Sequence, residues 1–466
     1  MILFGASLCF WGGLAGMLPN LALYIKSFGA TNQEVGWVMA AFAAGLLGFR
    51  PKMSRLTDTQ GRKPSLLIGV VVIALAPILY LDVMLLPQTT VTIPILGWQC
   101  KSAVLALAIV RAFHGLSVAA FATAYTAAVA DMAPPKHRGE LISFMSLAGP
   151  MGMAMGPALG GYLKSSFALA FLSMTVMGTV GTILVLMSKE PPQASIQLSA
   201  SGKQQHADDI EVAPRTRLNQ LSARALSLTA KADMAKADFT EVMGAESIAT
   251  TKPTTQKQPF FWSLIFAAPI RIPALMLFMV GIAFGATITF VPLYVEQMAW
   301  DINVGLIFTA SAIASFSIRT FSGTASDQLG RGRFISLGLI FYTLSMVTLY
   351  FAQSPTMLLL AGALQGAGSG TTIPIIAALM TDRSQPNERG LTFGLCLTGF
   401  DLGIALAGPI MGQIADISGS YTFVFALAGL MTFLGLLTFI TTSSKDLNHS
   451  VRFALHGGRD VYAVNS

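Results

Sequence analysis

The sequence predicts an all-α membrane protein with twelve transmembrane helices in two pseudo-symmetric six-helix bundles. Three observations predict it. The 466 residues are 53% hydrophobic and only 11% charged, whereas a soluble protein carries about 25% charged residues. Twelve apolar runs approach or exceed the roughly 20 residues that a helix needs to cross a hydrocarbon core. One stretch is also written twice: Gly36, Arg50, Asp58, Gly61 and Arg62 recur as Gly305, Arg319, Asp327, Gly330 and Arg331, every pair 269 apart (305 − 36, 331 − 62). A helical hairpin repeated half a chain later marks a protein built from two homologous bundles.

The runs fall at 2–25, 35–50, 65–86, 102–130, 141–163 and 167–188, then 273–295, 303–321, 334–352, 356–380, 391–412 and 421–442. The first lacks a basic leader and a small-residue cleavage site, so it reads as a retained helix and not as a cleaved signal. Internal Gly and Pro are tolerated because neighbouring helices satisfy the freed backbone groups. Basic residues alternate between the turns. Arg50, Lys52, Arg55, Arg62, Lys63, Lys136, Arg138, Arg331, Arg333, Arg383 and Arg389 follow runs 2, 4, 8 and 10, whereas the opposite turns carry Lys26, Lys101 and Lys164. This asymmetry places both termini and the middle loop in the cytoplasm and the spans in the cell (inner) membrane.

The predicted organisation is a bundle over 1–188, a cytoplasmic linker over 189–260, a second bundle over 261–442 and a cytoplasmic tail over 443–466. Within the linker, residues from Leu218 to Val242 repeat at three-four spacing, which reads as a surface or membrane-skimming helix. Phe260 to Ile270 looks interfacial. The net charge of +7 belongs to the short turns and does not imply a nucleic-acid partner. Cys9, Cys100 and Cys396 form no metal or disulfide pattern, with Cys100 in a loop and the others inside spans. No nucleotide-binding loop or nucleophile constellation is present, so neither an enzyme nor a cofactor is expected.

Asp58, Gly61, Arg62 and Lys63 resemble the signature turn of the major facilitator superfamily, G-x-x-x-D-[RK]-x-G-[RK]-[RK]. Ser54 stands where that signature has its first Gly, and Thr59 where it has a basic residue. Gly323, Asp327, Gly330, Arg331 and Arg333 repeat the pattern in the second half. The resemblance implies two six-helix bundles around a central cavity. Independently of any family, Gly61 and Gly330 allow a tight bend. Asp58 and Asp327 can accept bonds from a basic neighbour or a helix N-terminus. Such a turn either latches one face of the protein or only anchors orientation.

In run 5, Gly152, Gly156 and Gly160 share one helical face, with Pro157 and Gly161 adjacent. A neighbouring helix can then approach backbone to backbone, and Pro157 bends the run. The full string G-x-x-x-G-P-x-x-G-G resembles the motif of the exporter branch, mainly drug:proton antiporters. Gly408, Pro409 and Gly412 echo it in run 11.

Four groups of residues become candidates for function. Arg111, with His114 and Gly115, resembles the R-x-x-Q-G element of proton antiporters; the alternatives are snorkelling for Arg111 and plain packing for His114. Asp401 lies mid-run between Gly399 and Gly403. Burial of a lone carboxylate there favours its protonated form, which suits a proton carrier; the alternative is a permanently paired carboxylate. Met17, Tyr24, Phe290 and Tyr294 border the loosely echoed prolines Pro19 and Pro292, and line a cavity or simply pack.

The leading expectation is a monomeric proton-coupled exporter of a small amphipathic compound (a drug, a siderophore or another metabolite). Its partners would be that compound, protons and the lipid bilayer. The alternatives are a proton-coupled importer of a small nutrient, and a non-transporting receptor or assembly factor acting through the middle loop.

Overall fold

Glycine and proline decide where each span bends, stops or meets a neighbour. A computed structural model of the protein describes residues 1–87, 89–93, 98–132, 138–189, 266–385 and 388–464. Span 1 is helix α1 (Ile2–Gly16) followed by α2 (Leu18–Ser27), broken at Met17. Pro19 has no N–H to return to the helical ladder there. Thr31 opens α3 (Asn32–Gln60) with a capping box: its hydroxyl accepts from Glu34 N, and the Glu34 carboxylate accepts from Thr31 N. Helix α4 (Arg62–Asp82) completes the first repeated hairpin.

An antiparallel ribbon then intervenes, β1 (Thr90–Ile93) with β2 (Trp98–Lys101). Cys100, expected in a loop, lies in β2, because the apolar runs gave no sign of so short a ribbon. Helix α5 (Ser102–Met132) follows. Span 5 is two helices, α6 (Arg138–Ser146) and α7 (Ala148–Tyr162), meeting at Leu147. Pro150 cannot donate to Ser146, so the ladder lapses there. Helix α8 (Phe167–Met187) ends the first half.

The second half repeats the order with α9 (Ala268–Gln297), α10 (Gly305–Leu329), α11 (Arg331–Tyr350), α12 (Pro355–Asp382), α13 (Arg389–Ser418) and α14 (Thr422–Thr442). Among the described residues, ten spans are long and apolar enough to cross a membrane taken singly. The other two are α3, polar in its first turn and carrying Arg50, Lys52 and Arg55 in its second half, and the broken α6–α7 pair. The expected linker helix lies outside the described residues, as does the start of the expected interfacial segment.

The tail over 443–466 contains a helix of its own. It carries α15 (Leu447–His456), capped by Asp446, whose carboxylate accepts from His449 N at 2.8 Å. Phe453 and Ala454 are buried against α11 and α14. Arg333 Nε donates to Leu455 O and Ser336 Oγ to Ala454 O, both at 3.0 Å. Beyond the helix, Asp460 accepts from Arg383 Nε at 2.6 Å and Nη2 at 2.9 Å. Ten residues are too short to span, so an apolar-run reading passes over this helix. Its amphipathic face makes it the cover of the second half.

The glycine stripe of α7 packs against α1. A Cβ on Gly152 would meet Leu8 O and Gly12 N of α1; on Gly156 it would overlap Gly12 O, and on Gly160, Gly16 O. Asn20 Nδ2 donates to Gly160 O at 2.6 Å along the same seam.

Two substitutions test these contacts. Gly156→Leu is expected to prevent α7 from docking on α1 and to abolish monodisperse protein on size-exclusion chromatography; a normal elution profile would refute the seam. Phe453→Ala removes a buried aromatic and should destabilise the protein by about 3–5 kcal/mol, the range for such core deletions. An unchanged melting temperature would show that α15 is not an integral part of the fold.

Candidate functional site

Two ends of the molecule must be distinguished: the end carrying the basic turns, called the turn end, and the opposite end, which holds the β-ribbon. At the ribbon end the two halves meet directly. A Cβ on Gly36 of α3 would overlap Gly408 O and Pro409 N of α13, and one on Gly412 would overlap Asn32 O. On the other side of the molecule, a Cβ on Gly305 of α10 would overlap Pro157 O of α7, and one on Gly161 would overlap Asn303 Oδ1. Polar bonds reinforce both seams. The Asp416 carboxylate of α13 accepts from Asn32 N at 3.0 Å and Gln33 N at 2.8 Å, so it caps α3 from the opposite half. Thr309 Oγ1 of α10 donates to Ala154 O at 2.7 Å. Toward the turn end this intimacy ceases: a Cβ on Gly48, Gly323 or Gly394 would meet nothing within 4 Å.

Farther along α3, side chains replace backbone as the link. Arg50 lies 14 residues beyond Gly36 (50 − 36), a rise of about 21 Å. Its Nη1 stands 2.7 Å from Asp401 Oδ2 of α13. The Asp401 side chain is 9% exposed and the Arg50 side chain 33%. Asp401 is therefore paired, across the two halves, with an arginine that the sequence reading placed among the orientation-setting turns. The repeat concealed this role because Arg50 and Arg319 looked like a matched pair of anchors.

Arg111 and His114 form a separate cluster inside the first half. Arg111 is 4% exposed and His114 fully buried. Arg111 Nη1 is 3.3 Å from His114 Nδ1, and its guanidinium sits 4.4 Å from the Phe42 ring centroid of α3, a cation–π contact. Tyr80 Oη is 3.5 Å from the same His114 nitrogen. An Nδ1 that accepts from Arg111 belongs to a neutral imidazole with its proton on Nε2, and Nε2 has no partner. Among the described residues nothing joins this cluster to Asp401 directly. Both rest on α3, eight residues apart (50 − 42).

The turn residues assemble twice. Gly61 and Gly330 hold φ of 96° and 97°, a region that favours glycine. Arg62 Nε donates to Asp131 Oδ2 at 2.9 Å and its Nη1 to Asp58 Oδ1 at 3.3 Å. Arg331 Nε donates to Asp382 Oδ2 at 2.5 Å and its Nη1 contacts Asp327 Oδ1 at 2.6 Å. Asp131 and Asp382 were missed as partners. Their signal was present: D-x-x-x-P-x-x-R-G starts at both Asp131 and Asp382, 251 apart (382 − 131).

The aromatic set, expected either to line a cavity or to pack, is buried at the ribbon end in this structure. Tyr24 and Phe290 are fully buried, Met17 is 1% exposed and Tyr294 is 3% exposed. Tyr24 Oη donates to Tyr80 O at 2.7 Å and Tyr294 Oη to Ala352 O at 3.1 Å. Each tyrosine ties a proline-containing helix to the third span of its own half, so the echo seen in the sequence is a packing motif.

Duplicated helical halves joined by glycine seams define a membrane transporter. The sequence pattern of the Major Facilitator Superfamily matches residues 3–323 and 274–455, and the chain belongs to that superfamily. It is 28% identical over 165 residues to the quinolone resistance protein NorA of Staphylococcus aureus, an alignment covering 35% of this chain and 41% of that one. It is 23% identical to a multi-drug resistance efflux pump PmrA homolog of Lactococcus lactis, covering 91% of this chain and 90% of its relative. Among solved structures, it superposes on the inward open xylose transporter XylE from E. coli with TM-score 0.64 at 15% identity, over 96% of this chain and 97% of that one. It superposes on a POT family transporter in complex with 5-aminolevulinic acid with TM-score 0.66 at 12% identity, over 94% of each. At these identities the structures share a fold.

A double-mutant cycle tests the inter-half pair. Arg50→Gln and Asp401→Asn, singly and together, should show a coupling of about 0.5–3 kcal/mol in thermal unfolding, as for residues in direct contact. Strict additivity would mean that the pair does not interact in solution.

Proposed function

We propose that the protein is a proton-coupled secondary transporter that exports a small amphipathic compound by alternating access. The observation that carries this reading is the Arg50–Asp401 pair, the buried charge contact between α3 and α13. A proton and a guanidinium compete for the same carboxylate. When Asp401 is ionised, Arg50 holds α13 to α3; when Asp401 is protonated, the charge pairing is lost and the two helices are free to separate. Proton binding is thereby linked to the relation between the halves.

The turn end lies in the cytoplasm in this reading, so the seams at the ribbon end seal the outer face and the protein faces inward. The doubled Asp–Arg–Asp turns hold the inner ends of the helices in register within each half. Inward proton movement supplies roughly 2.3 kcal/mol per charge per 100 mV, which drives cargo outward. Arg111 and His114 stabilise the first half by packing against Phe42 of α3. The similarity to two proteins named for drug resistance and efflux supports the outward direction. The exporter-type string in α7 supports it too, since its glycines form one seam within the first half and contribute to another between the halves.

Reconstituted vesicles with an imposed pH gradient and a fluorescent amphipathic dye test the reading. Acidifying the compartment that receives the dye should speed its movement, and Asp401→Asn should reduce that stimulation at least tenfold while the protein stays folded. Stimulation by acid on the side the dye leaves would reverse the direction to uptake. Undiminished stimulation in Asp401→Asn would remove Asp401 from the coupling site.

A further inference from the structure

The two halves share an arginine but not a carboxylate. Arg319 of α10 is the counterpart of Arg50 at the repeat offset of 269. The offset between α7 and α13 is 252 (408 − 156), which places Gly149 at the position equivalent to Asp401 (401 − 252). The first-half arginine therefore meets a carboxylate from the second half, whereas the position in the first half equivalent to that carboxylate is a glycine. Arg50, Arg111 and Arg319 lie well inside their helices, and Asp401 is the acid set against them. Arg50 holds Asp401, and Arg111 is enclosed by Phe42 and His114. Arg319 has no carboxylate partner among the described residues.

Its surroundings supply donors. Arg319 is exposed, although Ser315 and Ser322 on the same helix are only 8% and 4% exposed. Ser369 Oγ of α12 donates to Ser315 Oγ at 3.3 Å, one turn away from Arg319. Gln365, one further turn along α12, is 3% exposed and its Nε2 has no hydrogen-bond partner. Gly366 and Gly370 let α12 come against the α10 backbone at Ser311 and Ser315, which fixes the spacing of these groups. An arginine offers five donors and no acceptor, and a buried amide N–H₂ without an acceptor is a costly feature to retain.

We propose that Arg319 binds a carboxylate carried by the transported compound, with the Ser315–Ser369 pair one turn away and Gln365 a further turn along α12 as neutral donors for the rest of the compound. This rests on the protein being a transporter and names its cargo class: amphipathic compounds bearing an anionic carboxylate. The cargo carboxylate stands to Arg319 as Asp401 stands to Arg50. A guanidinium binds a carboxylate through two parallel bonds that lysine cannot reproduce.

Equilibrium binding to the purified full-length protein, in neutral detergent and without any gradient, tests this. The probes are 1-pyrenebutanoate and the uncharged 1-pyrenebutanol, followed by fluorescence at pH 7.5. The wild-type protein should prefer the carboxylate at least tenfold. Arg319→Gln should lower that preference below twofold without changing affinity for the alcohol, and Gln365→Leu should weaken carboxylate binding two- to fivefold. Should Arg319→Gln fail to elute as folded protein, Arg319→Lys decides, with carboxylate binding weakened at least threefold and alcohol binding unchanged. A wild-type preference below twofold, or a preference preserved in the folded Arg319 variant, overturns the proposal. Binding without a gradient separates this result from the coupling mechanism. Carboxylate binding without proton-stimulated flux would leave Arg319 in place and remove coupled export.

Discussion

Contact between bare backbones at the ribbon end is the constraint on which the rest of the structure depends. Gly36 lies against Gly408 and Pro409, and Gly305 lies against Pro157. These are the two sets of echoes written into the sequence, and they meet each other. Each half contributes one glycine from its second span and one Gly-Pro pair from its fifth, so a single duplicated design produces both seams. A seam of glycines has few side-chain rotamers to freeze when it closes or to release when it opens. It can be tight without being permanent, as a contact that opens and closes in every transport cycle must be. Asp416 and Thr309 add directional bonds at its margins and fix the register.

Much of this was legible in the sequence because it is local or repeated. The twelve spans, the positive-φ turns at Gly61 and Gly330 and the small-residue face of α7 follow from spacing alone. What escaped was relational. Arg50 read as a positive-inside anchor because its partner, Asp401, lies 351 positions away (401 − 50) and no local pattern connects them. Asp131 and Asp382 escaped because attention fell on the stronger repeat at offset 269, whereas theirs is 251. Met17, Tyr24, Phe290 and Tyr294 were placed around a cavity because aromatic residues beside a proline suit either a lining or a core. Burial distinguishes the two, and in this conformation it places them in the core. Helix α15 was invisible to a search for spans because its length rules it out as one.

The duplication also shows where the halves have diverged. Their scaffolds match: tyrosines tie helices at Tyr24 and Tyr294, and Asp–Arg–Asp turns lie at Arg62 and Arg331. Their polar interiors do not. The first half holds Arg111 with His114, where the second places Gly362 with Gln365 at the same offset of 251 (365 − 114). The second half holds Asp401, where the first has Gly149. Symmetry supplies the mechanical frame, and the departures from it concentrate the chemistry.

The docking of α15 has a consequence for biogenesis. Helices emerge from the ribosome in chain order, and the first half can assemble from residues already released. The second half cannot: Arg333, Ser336 and Arg383 wait for groups between Ala454 and Asp460. Its closing element is still inside the exit tunnel when α14 enters the bilayer. Completion of this bundle therefore waits for the segment that carries α15, and a nascent chain stalled before Asp460 would present an open-faced second half to the quality-control machinery of the cell.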